Sequence, residues 1–310
     1  MKLASLALHH GYDSEATTKA ATTPIYQTTS YTFDNTQHGA DLFDLKVPGN
    51  IYTRIMNPTT DVLEQRVSQM EGGLAGLAVA SGMAAITYAI QAITSVGDNI
   101  ISTSQLYGGT YNLFAHTLPR QGIEVKFASG DDLSTFDKLI DENTKAVFCE
   151  SIGNPAGNIV DLKAFADVAH KHGVPLMVDN TVATPCIIKP IEYGADIVIH
   201  SLTKWLGGHG AGLGGIVIDS GRFNWKGGKH PLFDNPDESY HGLRWGHDLP
   251  EMLAPLAFIL RMRTVPLRNL GACASPDNSW QALQGIETLP LRMERHCENS
   301  LAVAKHLKNH

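Results

Sequence analysis

The feature that most limits the fold is a sustained alternation of short apolar runs with helix-like segments. Leu77–Ala80, Asn99–Ser102, Glu124–Ala128, Ala146–Glu150, Leu176–Asp179, Ile197–His200 and Gly215–Asp219 each read as a strand. Between them lie helical patterns: one opened by Ser81-Gly82-Met83 and running to about Ile93, one over Thr110–Leu118 ended by Pro119, one over Ser134–Ile140, and one over Leu162–His172. Strands separated by helices of this length build βαβ units, so the expected class is α/β with a mostly parallel seven-stranded sheet. Such sheets bind their ligands at the carboxyl ends of the strands.

The flanking segments read differently. Residues 1 to about 56 show little periodicity and several turn signals, and so long an irregular stretch tends to be functional or to pack on a partner. Asn57-Pro58-Thr59-Thr60 then reads as a helix start, with Leu63, Val67 and Met70 on one face and Gly72-Gly73 as its stop. After Asp219 a polar, glycine- and aromatic-rich loop leads to about Tyr240; Pro250–Arg263 reads as a long apolar helix, and residues 276–310 look helical again. The last residues, Leu301–His310, end inside a helical pattern, as a shortened chain would. The expected division is an arm over 1–60, a large domain over 61–255, and a linker helix with the start of an incomplete C-terminal domain over 256–310.

Composition narrows the functional classes. Hydrophobic residues make up 43% of the 310 and charged residues 18%, which excludes a disordered chain. A formal charge of −7 argues against nucleic acid or an anionic membrane as the main partner. Cys149, Cys186, Cys273 and Cys297 form no CxxC pair, so neither a disulfide framework nor a structural zinc site is expected. The first residues, MKLASLALHHGYD, are too short and too polar after Leu8 for a secretory signal, and no apolar run is long enough to cross a bilayer. The expectation is a soluble, cytoplasmic protein.

Several polar residues fall where the predicted strands end. Lys204 follows Ile197-Val198-Ile199, with Ser201 and Thr203 before it and glycines after it. A lysine held partly out of water loses proton affinity and becomes an amine nucleophile, whereas a flexible-loop lysine stays solvated; this window admits both. Asp179 ends Leu176-Met177-Val178, where a carboxylate needs a cationic partner or serves as a helix cap. A protonated pyridine nitrogen would be such a cation. Ser81-Gly82-Met83 stands at a strand-to-helix junction, either a local serine cap or a phosphate site, to which Ser201 and Thr203 would add hydroxyls. Tyr107 follows the second strand and is either an exposed loop residue or a partner for an aromatic ring. The GxGxxG match at Gly210–Gly215 precedes a strand instead of opening a helix, so it is not a dinucleotide fingerprint. The fourteen histidines show no HExxH or Cys/His spacing, and no metal site is expected. An amine, a phosphate cradle, a stacking tyrosine and a pyridinium-pairing carboxylate together describe a pyridoxal 5'-phosphate site.

The motifs Ile51–Thr59 (IYTRIMNPT), Ala80–Ala85 (ASGMAA), Tyr107–Thr110 (YGGT), Asp179–Thr181 (DNT) and His200–Lys204 (HSLTK) make the chain resemble the Cys/Met-metabolism family of pyridoxal-phosphate enzymes over essentially its whole length. Gly207–Gly210 (GGHG) and the insertion near Phe43–Pro48 favour its sulfhydrylase branch, and Gly109 stands where methionine γ-lyases commonly carry cysteine. The resemblance implies fold type I, with Lys204 carrying the cofactor as a Schiff base and moving protons at Cα and Cβ. It implies that Asp179 pairs with the pyridine nitrogen, Tyr107 stacks on the ring, and Ser81, Gly82, Met83, Ser201 and Thr203 surround the phosphate. Tyr52 and Arg54 would reach the phosphate of a neighbouring subunit, with Tyr52 also near the substrate; Asn154 would help bind the substrate carboxylate. The implied reaction is γ-replacement on O-acetyl-L-homoserine by sulfide or methanethiol, giving homocysteine or methionine and acetate. A dimer would complete each site, and a tetramer would be the assembled form. The alternatives are elimination from methionine or cystathionine, and an inactive cofactor-binding chain, because the family's C-terminal domain supplies a carboxylate-binding arginine that is not found here.

Overall fold

A computed structural model describes residues 1–14, 18–128 and 133–310. Among the described residues seven strands form one sheet: β1 Ala75–Val79, β2 Asn99–Thr103, β3 Glu124–Ala128, β4 Thr144–Glu150, β5 Leu176–Asp179, β6 Ile197–Ser201 and β7 Gly215–Asp219, in the order β1-β7-β6-β5-β4-β2-β3. β2 through β6 pair in parallel, and β7 runs antiparallel between β1 and β6. The mostly parallel sheet expected from the alternation is therefore present, with one reversed strand.

Among the described residues the helices include α1 Leu3–His9, α2 Thr36–Phe43, α3 Pro58–Glu71, α4 Gly82–Gln91, α5 Leu162–Lys171, α6 Pro276–Glu287 and α7 Leu289–Lys308. Local chemistry starts and stops them. Asn57 caps α3, its Oδ1 accepting from the Thr59 amide at 3.0 Å, with Pro58 in the first turn and Gly72 in the left-handed conformation at φ 79° to end it. Asp161 and Ser275 cap α5 and α6 in the same way.

Alternate side chains of each strand go to opposite faces, which divides the core in two. On one face Ala78, Val147, Val178, Val198 and Ile216 pack with Leu63, Val67 and Met70 of α3 and with Phe165 and Ala169 of α5. On the other, Leu77, Phe148, Met177, Ile199 and Val217 pack with Ile86, Ala89 and Ile90 of α4. Burial on both faces is why these strands are apolar throughout, and it leaves the strand ends as the places for polar side chains.

Three expectations differ from the structure. The first 56 residues are not uniformly irregular, since they contain α1 and α2; α1 packs Leu6 and Ala7 into the α3 side of the core. Pro119 does not end its helix. The helical path from Gly108 continues to Arg120 because a wide π turn over Leu113–Thr117 precedes the proline and absorbs its missing N–H. The same device carries the helix that begins with Ala254 through Pro266 to Leu270, beyond the expected end at Arg263. Among the described residues no helix is long and apolar enough to cross a membrane.

Candidate active site

The polar residues singled out above gather at the carboxyl edge of the sheet, where β1, β4, β5 and β6 end. Ser81 leaves β1 with extended backbone and caps α4, its Oγ accepting from the Ala84 amide at 3.1 Å. The Gly82 and Met83 amides of that first turn find no partner among the described residues, so they face outward with the positive end of the helix. Two glycines let the turn sit so low. A Cβ on Gly82 would lie 2.8 Å from Ser201 Cβ, and one on Gly215 would lie 2.1 Å from the Ser81 carbonyl oxygen. The α4 N-terminus, the end of β6 and the start of β7 are thus in direct contact, and a small anion is the ligand that such a cradle fits.

Asp179 and Ser201 end the adjacent strands β5 and β6. Thr181 ties them together: its amide and Oγ1 donate to Asp179 Oδ1 at 2.9 and 2.5 Å, and Oγ1 accepts from the Ser201 amide at 2.8 Å. Burial pushes the Asp179 carboxyl up; the Thr181 donors and His200 pull it the other way. A carboxylate so placed is stabilised by a cation above it. Thr203 follows, its Oγ1 donating to the Gly214 carbonyl at 3.3 Å and accepting from the Gly214 amide at 3.2 Å.

Lys204 stands in the turn after β6, held through its backbone to Ser201 and Gly208. Of the two readings open for Lys204, the single chain shows the exposed one, because the turn lifts it onto the open edge of the sheet. Tyr107 ends the loop after β2 and is 48% exposed. A Cβ built on Gly109 would lie 2.6 Å from the Tyr107 ring and 3.3 Å from Met83 Sδ, so ring and α4 turn share one corner.

Tyr52 and Arg54 belong to the segment that precedes α3. Tyr52 is exposed and bridges Ser30; the Arg54 guanidinium lies 4.9 Å from the Tyr52 ring centre, and its Cδ approaches Gly271. Asn154 lies exposed in the loop after β4.

Glu150, Ser151 and Glu71 escaped the sequence reading. Glu150 ends β4 opposite Asp179 in the β4–β5 register, and its oxygens accept from the backbones of Tyr107 and Asn154. Burial first, then Asp179, raise its carboxyl to about 7. His200 Nε2 lies 2.6 Å from Glu71 Oε1, and both side chains are wholly buried. The same Glu71 oxygen accepts from Asn180 Nδ2 at 2.9 Å, while Asn180 Oδ1 accepts from Ser151 Oγ at 2.8 Å. This network ties the ends of three strands to α3 beneath the site. The signal for Glu150 was the one that found Asp179, a carboxylate closing an apolar run.

Pyridoxal 5'-phosphate meets a matching environment here: unpaired amides for its phosphate, a half-buried carboxylate for its ring nitrogen, an aromatic ring, and an amine for its aldehyde. A family model described as Cys/Met metabolism PLP-dependent enzyme matches residues 4–310. An O-acetyl-L-homoserine sulfhydrylase from Leptospira meyeri is 51% identical over 310 residues, covering 99% of this chain and 70% of that protein. A homocysteine synthase from Schizosaccharomyces pombe is 50% identical over 309 residues, covering 99% of this chain and 71% of that one. The crystal structure of a putative O-acetylhomoserine (thiol)-lyase from Campylobacter jejuni, which holds a pyridoxyl-lysine phosphate, superposes with a TM-score of 0.95 at 42% identity, over 100% of this chain and 76% of that one. The chain belongs to the Cys/Met metabolism family of pyridoxal-phosphate-dependent enzymes.

Proposed function

We propose that this enzyme catalyses γ-replacement on O-acetyl-L-homoserine, exchanging acetate for sulfide or a thiol to give homocysteine or, with methanethiol, methionine. The observation that carries the proposal is the juxtaposition of Asp179, Ser201 and the free Gly82 and Met83 amides, with Lys204 three residues beyond Ser201. The names of the relatives supply the substrate class.

Bound pyridoxal phosphate supplies an electron sink that acidifies the amino acid's Cα–H. The chain's own residues do the rest. The Gly82 and Met83 amides, with the Ser201 and Thr203 hydroxyls and the Ser81 cap, would hold the phosphate dianion at the helix N-terminus. Asp179, fixed by Thr181, would keep the ring nitrogen protonated, and Tyr107 would lie against the ring. Lys204 would hold the aldehyde, and its amine would take the proton from the substrate's Cα and move protons at Cβ. Asn154 binds the substrate carboxylate.

Tyr52 and Arg54 act on a second copy, Arg54 suiting phosphate through its planar fork. The exposure of Tyr52 supports that reading. A dimer, paired into a tetramer in the cytoplasm, then has residues 1–60 as an arm to the neighbour, 61–255 as the cofactor domain and 256–310 as a C-terminal helical segment. The test supplies cofactor, O-acetyl-L-homoserine and sulfide. Homocysteine and acetate in equal amounts support the proposal, and methanethiol release from methionine with no homocysteine formed contradicts it.

A further inference from the structure

Glu150 has no part in the roles assigned above, yet its side chain is the point at which two site loops meet. It is 5% exposed. Oε1 accepts from the Tyr107 amide at 2.7 Å and Oε2 from the Asn154 amide at 3.1 Å. The first loop follows β2 and carries the tyrosine; the second follows β4 and carries the asparagine. The loops also touch at Gly153, where an added Cβ would lie 3.0 Å from the Gln105 carbonyl and 2.2 Å from Asn158 Oδ1. A carboxylate accepts on both oxygens, so two N–H donors are matched only by Asp or Glu, and only Glu has the present reach.

We propose that Glu150 is a positioning residue that fixes the spacing between the Tyr107 ring and the Asn154 side chain, and so aligns the cofactor ring with the substrate carboxylate. The inference rests on the functional reading above. It separates from a purely structural role because misaligned loops change substrate binding and ring asymmetry before they change folding. Glu150→Gln keeps shape and one acceptor but turns an NH2 toward the other amide, which releases one loop.

The experiment compares the cofactor-loaded parent, E150Q and E150D. Both variants are expected to take borohydride label at Lys204, to lose visible circular dichroism from the bound cofactor, and to raise KM for O-acetyl-L-homoserine about tenfold, with a smaller change in kcat. E150D, which keeps the charge but lacks the reach, is the second variant should E150Q not fold. Parent-like KM and ellipticity in either folded variant would overturn the inference. A parent that forms no homocysteine and takes no label would instead overturn the functional reading.

Discussion

Thr181 holds Asp179 through two donors to one oxygen, its amide at 2.9 Å and its hydroxyl at 2.5 Å, and the same hydroxyl receives the Ser201 amide. The carboxylate assigned to the ring nitrogen is thereby fixed to the strand that leads to Lys204. Thr181→Val keeps the shape and removes the hydroxyl, leaving Asp179 with one donor and Ser201 with none from this residue. Cofactor affinity, measured by fluorescence titration of the apoenzyme, is expected to fall about tenfold, the worth of one charge-assisted hydrogen bond. Thr181→Ser should restore most of it.

Gly82 is set against Ser201 so closely that a methyl group would lie 2.8 Å from Ser201 Cβ. Gly82 opens α4, where alanine is the better helix former, so Gly82→Ala should leave thermal stability within a few degrees. It should nevertheless weaken retention of pyridoxal phosphate by about tenfold or more, because the first turn must move off the phosphate position. Dialysis followed by cofactor absorbance reads the difference.

His200 and Glu71 face each other at 2.6 Å with no solvent on either side chain, and Glu71 also receives Asn180. Removing one partner leaves the others buried and unmatched, so Glu71→Ala is expected to lower unfolding free energy by about 3 kcal/mol. Urea denaturation of the holoenzyme gives that figure directly, and Glu71→Gln, which keeps an acceptor, should lose less.

Asp219 ends β7 with its side chain fully buried; Oδ1 accepts from the Gly221 amide at 2.8 Å and Oδ2 has no partner among the described residues. Burial raises its carboxyl to about 7. The folded state therefore binds this proton more tightly than the unfolded chain does. The associated stability is complete below the ordinary carboxylate value near 4 and is lost as pH rises through about 7. Asp219→Asn keeps the Oδ1 acceptor and cannot ionise. Its melting temperature relative to the parent should rise between pH 5 and pH 8; an equal difference at both values would contradict this.

How much of this was legible follows from the physics of each signal. β5 and β7 lie where their apolar runs placed them, Leu176–Asp179 and Gly215–Asp219, because a strand buried on both faces shows an uninterrupted apolar stretch between polar ends. α3 begins at Pro58 because Asn57 and Pro58 are local instructions. Pro119 misled because a π turn, set by the surrounding packing, removed the break that proline ordinarily imposes. Asp179 and Lys204 stood out as charged groups after apolar strands. Glu150 carried the same mark, but its two partners lie on separate loops, one of them 43 residues away, and only the fold brings them together.

The central claim is that Lys204 is the residue to which the cofactor is joined. Borohydride reduction of the purified holoenzyme, followed by peptide mapping of the intact mass, tests it most directly. A single pyridoxyl phosphate on the peptide carrying Lys204 is the predicted result; label on another lysine, or none after incubation with excess pyridoxal phosphate, would contradict the account.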